Sequence, residues 1–314
     1  MGNNISSNTI KNVKIETIKI KKVLNAHSNI IYKMSFFPSG NIISVSKDNS
    51  IKIWDTDFNL IQEINEEENN SKEGITYVLI ENENNYITTS NAKNLKFWLK
   101  ENNIFKCIEK IEKAHDNCIN HINLICKEKI ITCSYDLIIK IWNKIKNKNY
   151  HQCISYIKIR GTVFSSLILN DKNLLVISGD IGTIFFNKET YQKNKVFKKA
   201  LCHFPNALKR LNNNTIITGG EYKNILFIID INKNEIIKEV YNNFLCYGIF
   251  IMDYKGLFLT SGLSSYINVF NIKDYKCEKI LDLKQEKIFG FLQLKNNLLL
   301  SYSNNFTIWN LSLK

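Results

Sequence analysis

Proline, glycine and long apolar runs are scarce in this chain of 314 residues. It contains only two prolines and 12 glycines. No Pro/Gly/Ser-rich stretch divides it into halves, so we expect one continuous structural unit. There is no run of 18 or more apolar residues and no apolar signal-peptide segment at the start, which argues against a membrane-spanning helix and against secretion.

Paired cysteines are also missing. The eight cysteines are scattered singly, and none belongs to a C-x-x-C pair. This spacing argues against a structural zinc site and against the disulfide framework of a small secreted protein. We therefore expect a cytoplasmic protein in a reducing compartment.

Motifs for catalysis or metal binding are absent as well. The sequence has no P-loop, no G-x-S-x-G and no G-x-G-x-x-G, and its five histidines show no H-x-x-x-H spacing. The acidic run Glu66-Glu67-Glu68 is followed by Asn69, Asn70 and Ser71, which is typical of a solvated loop. We predict a protein that is not an enzyme and that uses neither a metal nor a cofactor.

Positive charge exceeds negative charge. Lys and Arg number 42 against 29 Asp and Glu, a formal net charge of +13. One interpretation is attraction to phosphate, in nucleic acid or in anionic lipid. The other is compositional: the lysines are spread over the whole chain together with abundant Asn and Ile, and simply solvate the surface. Both interpretations stay open at this point.

The chain does contain a long internal repeat. Short apolar strands end in a large apolar anchor about every 40 residues. The anchors are Trp54, Trp98, Trp142, Phe186, Ile229, Phe270 and Trp309. Between anchors, apolar stretches alternate with turn residues, which is typical of antiparallel strands. Four strands in each period is the size of a propeller blade, so we predict an all-β, seven-bladed β-propeller of four-stranded antiparallel blades.

Two blades share a matching set of four residues. His27, Ser44, Asp48 and Trp54 of blade one recur at the same intervals as His115, Thr132, Asp136 and Trp142 of blade three. On these residues, the chain from about residue 10 to residue 314 resembles the WD-repeat β-propeller family. The resemblance implies that each set forms a buried hydrogen-bonded chain, here called a staple, and that its histidine is neither a metal ligand nor a base. A buried Asp and His are tolerable only when they satisfy each other.

The ring is predicted to be closed by the N-terminus. Only five residues follow Trp309, too few for a turn and a full outer strand. Residues 19–27 align with residues 107–115, which lead from an outer strand into blade three. Residues 13–24 are therefore expected to supply the outer strand of blade seven, which leaves only short, protected edges. We predict a flexible tail over residues 1–12 and a single propeller over residues 13–314.

The resemblance also implies a surface for binding other proteins. In WD-repeat propellers, the face that carries the loops between blades usually docks partners. Residues near the starts of the inner strands and before the turn aspartates give this face an aromatic and basic character. They are Tyr32, Lys47, Tyr135, Arg160 and Phe164. Aromatic and Arg side chains are common anchors of interfaces.

The first six residues fit a lipidation motif. Met1-Gly2-Asn3-Asn4-Ile5-Ser6 matches M-G-x-x-x-[ST], the pattern for N-myristoylation at Gly2. One myristoyl chain binds a membrane weakly, and the lysines that follow between residues 11 and 22 would add attraction to anionic lipid. The predicted function is a non-catalytic protein-interaction scaffold, tethered to a cytoplasmic membrane face. The alternative is a basic propeller associated with RNA or ribonucleoprotein, with lysines of residues 144–148 and 193–199 on phosphate.

Overall fold

The structure is a computed structural model, and it describes most of the chain. The described residues are 15–23, 25–66, 74–219, 224–252, 256–262, 264–283, 287–294 and 298–313. The predicted tail and Gly2 lie outside them. A 3-10 turn at Asn170–Lys172 interrupts the strands. No helix in this part of the chain has the length and apolar character needed to span a bilayer.

The described residues form 28 strands, arranged as seven four-stranded antiparallel sheets. The N-terminal strand is β1 (Ile15–Val23). Blade one contains β2 (Ile31–Phe36), β3 (Ile42–Ser46), β4 (Ser50–Trp54) and β5 (Leu60–Asn65). Blade two contains β6 (Ile75–Ile80), β7 (Asn85–Ser90), β8 (Leu95–Glu101) and β9 (Ile104–Ile111). Blade three contains β10 (Ile119–Cys126), β11 (Lys129–Ser134), β12 (Ile138–Lys144) and β13 (His151–Lys158).

The remaining blades follow the same plan. Blade four contains β14 (Val163–Leu169), β15 (Leu174–Gly179), β16 (Gly182–Asn187) and β17 (Lys193–Phe197). Blade five contains β18 (Leu208–Arg210), β19 (Thr215–Gly219), β20 (Ile225–Asp230) and β21 (Glu235–Tyr241). Blade six contains β22 (Cys246–Met252), β23 (Leu257–Gly262), β24 (Tyr266–Asn271) and β25 (Cys277–Asp282). Blade seven contains β26 (Gly290–Gln293), β27 (Leu298–Tyr302) and β28 (Phe306–Leu313), with β1 as its fourth strand.

The blades are arranged in a closed ring. Each inner strand contacts the inner strand of the next blade, and β26 of blade seven contacts β2 of blade one. The second strand of each blade is buried along all or nearly all of its length, as in β3, because both of its faces are covered by neighbouring blades. Residues of the outer strands alternate between exposed and partly buried, as in β5, or are largely exposed, as in β13. The seven-bladed propeller predicted from the repeat is confirmed.

The repeated anchors hold neighbouring blades together. Each anchor is buried, with at most 6 % of its surface exposed. Each one belongs to a different apolar cluster, formed with the preceding blade. Trp98 of blade two, for example, packs with Ile43 and Val45 of blade one, whereas Trp54 of blade one packs with Leu300 and Ile308 of blade seven. The period of the sequence is therefore the period of the interfaces between blades.

Closure by the N-terminal strand matches the prediction. Strand β1 pairs antiparallel with β28, from Ile15 opposite Leu313 to Val23 opposite Phe306. Two further backbone hydrogen bonds join the start of blade one to blade seven, from the N–H of His27 to the carbonyl of Asn304 (3.0 Å) and from Ile31 to Ser303 (2.6 Å). The two ends of the chain therefore share one sheet.

Candidate functional site

The four residues of the blade-one staple meet in the structure. His27 Nε2 lies 2.7 Å from Ser44 Oγ, and Trp54 Nε1 donates to the same hydroxyl over 2.9 Å. On the other side of the imidazole, His27 Nδ1 lies 3.0 Å from Asp48 Oδ2. The tautomer of His27 with its proton on Nδ1 is compatible with this whole chain, because Ser44 then donates to Nε2 and accepts from Trp54. The staple joins the loop before β2 to β3 and β4.

Blade three repeats this geometry. His115 Nδ1 lies 2.8 Å from Asp136 Oδ2 and His115 Nε2 lies 2.7 Å from Thr132 Oγ1, which accepts from Trp142 Nε1 over 2.8 Å. Burial raises the pKa of Asp136, but the interaction with His115 and the backbone N–H groups of Asp116 and Ile138 together outweigh burial and place this pKa below its usual range. Burial lowers the pKa of His115. A neutral histidine beside an ionised aspartate, both engaged within the protein, serves structure rather than chemistry.

Other blades retain parts of the staple or replace it. Trp98 Nε1 of blade two donates to Thr88 Oγ1 over 2.9 Å. In blade six, the amide of Asn242 takes the place of the histidine, and its Oδ1 accepts from Thr260 Oγ1 (2.8 Å) and from Asn268 Nδ2 (2.6 Å). All three residues of this set are fully buried. The sequence motif did not reveal it, because it contains none of the family's His, Asp and Trp.

A ring of seven equivalent residues surrounds the mouth of the central channel. In five blades, the second residue of the inner strand has no partner in the neighbouring strand, which is a β-bulge. A bulge leaves the extra residue outside the ladder and re-aims its side chain. In blades five and seven, Asn206 and Phe289 lie just before β18 and β26, which begin at Leu208 and Gly290, and line the same opening. All seven residues, here called the mouth ring, line one cavity of about 220 Å³; they are Tyr32, Thr76, Asn120, Phe164, Asn206, Tyr247 and Phe289.

Aromatic contacts organise this opening into two runs. In the first, the rings of Tyr135 and Phe164 meet edge to face at 5.3 Å, and Phe164 lies 5.1 Å from the ring of His203. In the second, Tyr247 lies 3.9 Å from Phe204 and 5.2 Å from Phe289. Each of these side chains remains partly exposed, and Tyr135 is 43 % exposed. The opening therefore offers aromatic surface that the described residues leave partly exposed.

The polar part of the mouth is held by hydrogen bonds between blades. Asn120 Nδ2 donates to the carbonyl of Val163 over 3.0 Å, and Thr76 Oγ1 donates to the carbonyl of Ile119 over 2.5 Å. Burial lowers the pKa of His203, so this ring is neutral at neutral pH. Among the described residues that line the mouth, none carries a Lys, Arg, Asp or Glu side chain.

The five residues predicted for the partner-binding face fall into two groups. Tyr32, Tyr135 and Phe164 meet at the mouth. Lys47 and Arg160 are exposed but do not line it. Arg160 borders a separate groove of about 760 Å³ between blades three and four. The sequence did not reveal the mouth-ring residues of blades five to seven, because no motif marks the start of their inner strands.

The comparison with known families agrees with this geometry. The family model described as "WD domain, G-beta repeat" matches residues 18–55 and 105–143. These segments end one residue after Trp54 and Trp142 and contain the two staples. No curated protein matches the chain. The two matches, together with seven four-stranded blades in a closed ring, support the WD-repeat β-propeller family as the family of this chain.

Proposed function

We propose that this protein is a non-catalytic scaffold whose mouth ring docks a segment of a partner protein. The observation that carries the proposal is the uncharged, partly exposed aromatic surface at the mouth. Aromatic side chains anchor protein interfaces because they bury much apolar area at a small cost in conformational entropy. The closed propeller holds these aromatic side chains in place before a partner binds, which lowers the entropic cost of binding.

The size of the opening favours a protein segment over a complete small-molecule ligand. The cavity at the mouth measures about 220 Å³. Sites for small molecules and cofactors are usually clefts of about 300–1,000 Å³. A shallow aromatic opening of this size suits one or two side chains of a larger partner. The surrounding loops between blades would supply the rest of the interface.

The chemistry of the mouth supports a binding role rather than catalysis. Its titratable side chains are those of tyrosines and of His203, which is neutral and whose ring is tilted against that of Phe164. His27 and His115 are engaged in the staples. General acid–base catalysis needs a group whose pKa lies near the operating pH and which can reach the substrate.

Membrane tethering through Gly2 is the second part of the proposal. Its support is the match of the first residues to the N-myristoylation pattern. Strand β1 lies at the outer edge of blade seven, whereas the mouth ring lies around the axis, so a tether leading into β1 would leave the mouth accessible. Lys19 and Lys22 of β1 are exposed and would add attraction to anionic lipid.

The docking surface is tested by removing three rings from the mouth. We expect a triple variant with Tyr32→Ala, Phe164→Ala and Tyr247→Ala to lose co-purifying partners by at least about tenfold, since central aromatic residues carry much of the binding energy. The matched control replaces Tyr156, Tyr241 and Tyr266 by Ala, which are 59 %, 67 % and 47 % exposed and do not line the mouth. Retention of all partners by the mouth variant, with a folded circular dichroism spectrum, would contradict the docking proposal.

The tether is tested separately. The Gly2→Ala variant should leave the membrane fraction and lose the myristoyl mass from its N-terminal peptide, because acylation requires the glycine amine. Its binding to partners in detergent extracts should not change. An unchanged distribution in cell fractionation would contradict the tether without affecting the docking proposal.

One groove favours the RNA alternative. Arg160 and three lysines, Lys158, Lys193 and Lys198, border the groove between blades three and four, together with the single acidic residue Asp180. Binding of RNA there should weaken steeply as salt increases. Filter binding at two salt concentrations, with Arg160→Gln and Lys193→Gln combined in one variant, separates this function from docking at the mouth.

A further inference from the structure

Two lysines lie inside the central channel. Lys33 of β2 and Lys209 of β18 come from blades one and five and line the same cavity, which measures about 510 Å³. The lining also includes Pro38 and Asn82, which are exposed at turns. The cavity therefore runs from the channel interior to solvent at the face that carries these turns. Among the described residues, Pro205 alone lines both this cavity and the mouth cavity.

Neither ammonium group is balanced by a carboxylate in the part of the chain that the structure describes. Lys33 Nζ lies 4.8 Å from the centroid of the Tyr77 ring and donates to Asn206 Oδ1 over 3.4 Å. Within the described ranges, Lys33 and Lys209 form no ion pair. A cation that is removed from water without a counter-charge is costly to the folded state.

The one acidic residue along the cavity is engaged at its outer end. Glu81 lies 3.7 Å from Lys144 Nζ and 3.7 Å from His151 Nε2, both of blade three. Burial lowers the pKa values of Lys33 and Lys209 to about 8, and the charge of Lys33 adds to the lowering for Lys209. Both lysines are therefore still mainly charged at neutral pH. The channel therefore holds positive charge that no carboxylate among the described residues neutralises.

The groups around the two lysines can donate hydrogen bonds. Tyr77 brings a hydroxyl, and its ring lies 4.4 Å from the ring of His121. His121 Nδ1 lies 3.0 Å from Ser166 Oγ. Burial, together with the charges of both lysines, lowers the pKa of His121 well below its usual range, so this histidine adds a neutral ring. Two ammonium groups with hydroxyl and imidazole donors beside them form the environment of an anion site.

We propose that the channel cavity binds a phosphate group, either as inorganic phosphate or as part of a small phosphate monoester, between Lys33 and Lys209. Two lysine charges match a phosphate monoester, which carries about −1.5 to −2 at neutral pH. Lysine is a common point-charge partner of phosphate. The volume lies in the range of small-molecule sites, so an organic group attached to the phosphate also fits.

Calorimetric titration of the purified protein tests this site. Sodium phosphate and glycerol phosphate are the probes, with sodium acetate and sodium chloride at matched ionic strength as reference anions. Lys33→Gln or Lys209→Gln should weaken phosphate binding by at least about tenfold, since charge-assisted contacts are the stronger kind of hydrogen bond. Lys146→Gln, an equal loss of charge at an exposed turn, is the matched control and should bind as the wild type does. Tighter binding of glycerol phosphate than of inorganic phosphate would identify a monoester as the ligand.

Thermal unfolding without phosphate separates a binding role from a structural one. Because each lysine is an uncompensated charge, the Gln variants should unfold at the same or a higher temperature than the wild type. Lys209→Arg, which keeps the charge, should retain phosphate binding. Equal binding of phosphate by the wild type and both Gln variants, or no preference for phosphate over chloride, would overturn the proposal. Binding of a phosphopeptide alone, with no response to either small phosphate, would also overturn it.

The mouth variant tests whether the two sites are independent. Tyr32, Phe164 and Tyr247 line the mouth cavity and not the channel cavity. Their triple replacement by Ala should leave phosphate binding within about twofold of the wild type, since none of the three side chains lines the channel cavity. Loss of phosphate binding in this variant would contradict a separate channel site, whatever happens to the protein partner.

Discussion

Trp142 Nε1 donates to Thr132 Oγ1 over 2.8 Å, and the same hydroxyl lies 2.7 Å from His115 Nε2. This hydroxyl is fully buried, so Thr132 is the only group that both partners can reach at this point of the described staple. Thr132→Val keeps the shape but removes the hydroxyl, which leaves two buried polar groups without a partner. We expect the free energy of unfolding to fall by about 2–4 kcal/mol. Urea unfolding measures this change.

Thr190→Val is the control for this experiment. Thr190 is exposed in the turn between β16 and β17, so its replacement should change the free energy of unfolding by less than about 0.5 kcal/mol. Similar losses in the two variants would mean that the staple of blade three contributes little to stability.

The staples also predict how stability depends on pH. The folded pKa of Asp136 lies below the value of about 3.9 for an unfolded Asp, so its contribution is present above about pH 4 and is lost as pH falls toward the folded pKa. The folded pKa of His115 is lowered below about 6.5. The unfolded chain therefore takes up this proton first as pH falls, which also disfavours the folded state. Both groups make the protein less stable in acid.

Thermal unfolding between pH 7 and pH 3 checks this dependence. The melting temperature of the wild type should fall over this interval. In Asp136→Asn the fall below about pH 4 should be shallower, because the titrating carboxylate is gone. Asp57→Asn, at an exposed turn, should follow the wild-type curve. A wild-type slope in Asp136→Asn would contradict the assignment of the acid loss to the staple.

The sequence predicts the seven-bladed fold well because the residues that recur in it make contacts within or between blades. Trp54 recurs as an anchor since every blade must cover the one before it. The staple of His27 can be read because its four partners are distinctive residue types at set intervals. Asn242 could not be predicted, since an amide that replaces a histidine leaves no motif.

The channel and half of the mouth are not visible in the sequence. Tyr247 and Phe289 reach the mouth through the position of their inner strands, and the register of these strands is set by pairing rather than by a motif. Lys33 and Lys209 look like any other lysine of this lysine-rich chain. Only the closed ring places two lysines from blades one and five along one cavity.

A tight turn in blade four depends on glycine. Gly182 begins β16 with φ of +104°, and a Cβ at this position would lie 2.3 Å from the carbonyl oxygen of Phe197. Gly182→Ala adds the strain of a positive φ to a clash with backbone, and should reduce the free energy of unfolding by about 3 kcal/mol. Gly256→Ala is the matched control. Its φ is +63°, but an added Cβ meets nothing within 4 Å, so about 1 kcal/mol is expected.

Urea unfolding of the two glycine variants checks this pair. Both substitutions place Ala at a positive φ, so both should lower the free energy of unfolding for that reason. The difference between the two losses measures the clash with the backbone of Phe197. Equal losses in the two variants would contradict that approach.

The last prediction concerns closure of the ring. Deleting residues 1–25 removes β1, which leaves β28 as an unpaired edge along the paired length from Phe306 to Leu313. Because an open edge loses its ladder hydrogen bonds and exposes apolar surface, we expect a loss of more than about 3 kcal/mol and a tendency to aggregate. Deleting the last four residues removes only the end of the same ladder, where Leu311, Ser312 and Leu313 pair with Thr17, Glu16 and Ile15. This change should cost about 1 kcal/mol.

A peptide added in trans distinguishes lost pairing from general damage. Residues 10–25 supplied as a synthetic peptide should restore part of the melting temperature of the truncated protein, because they can pair with β28 by strand addition. A peptide with the same composition in scrambled order should not, since its apolar residues no longer match the register of β28. Equal stability of the two truncated proteins, or equal rescue by the two peptides, would show that β1 is not what closes the ring.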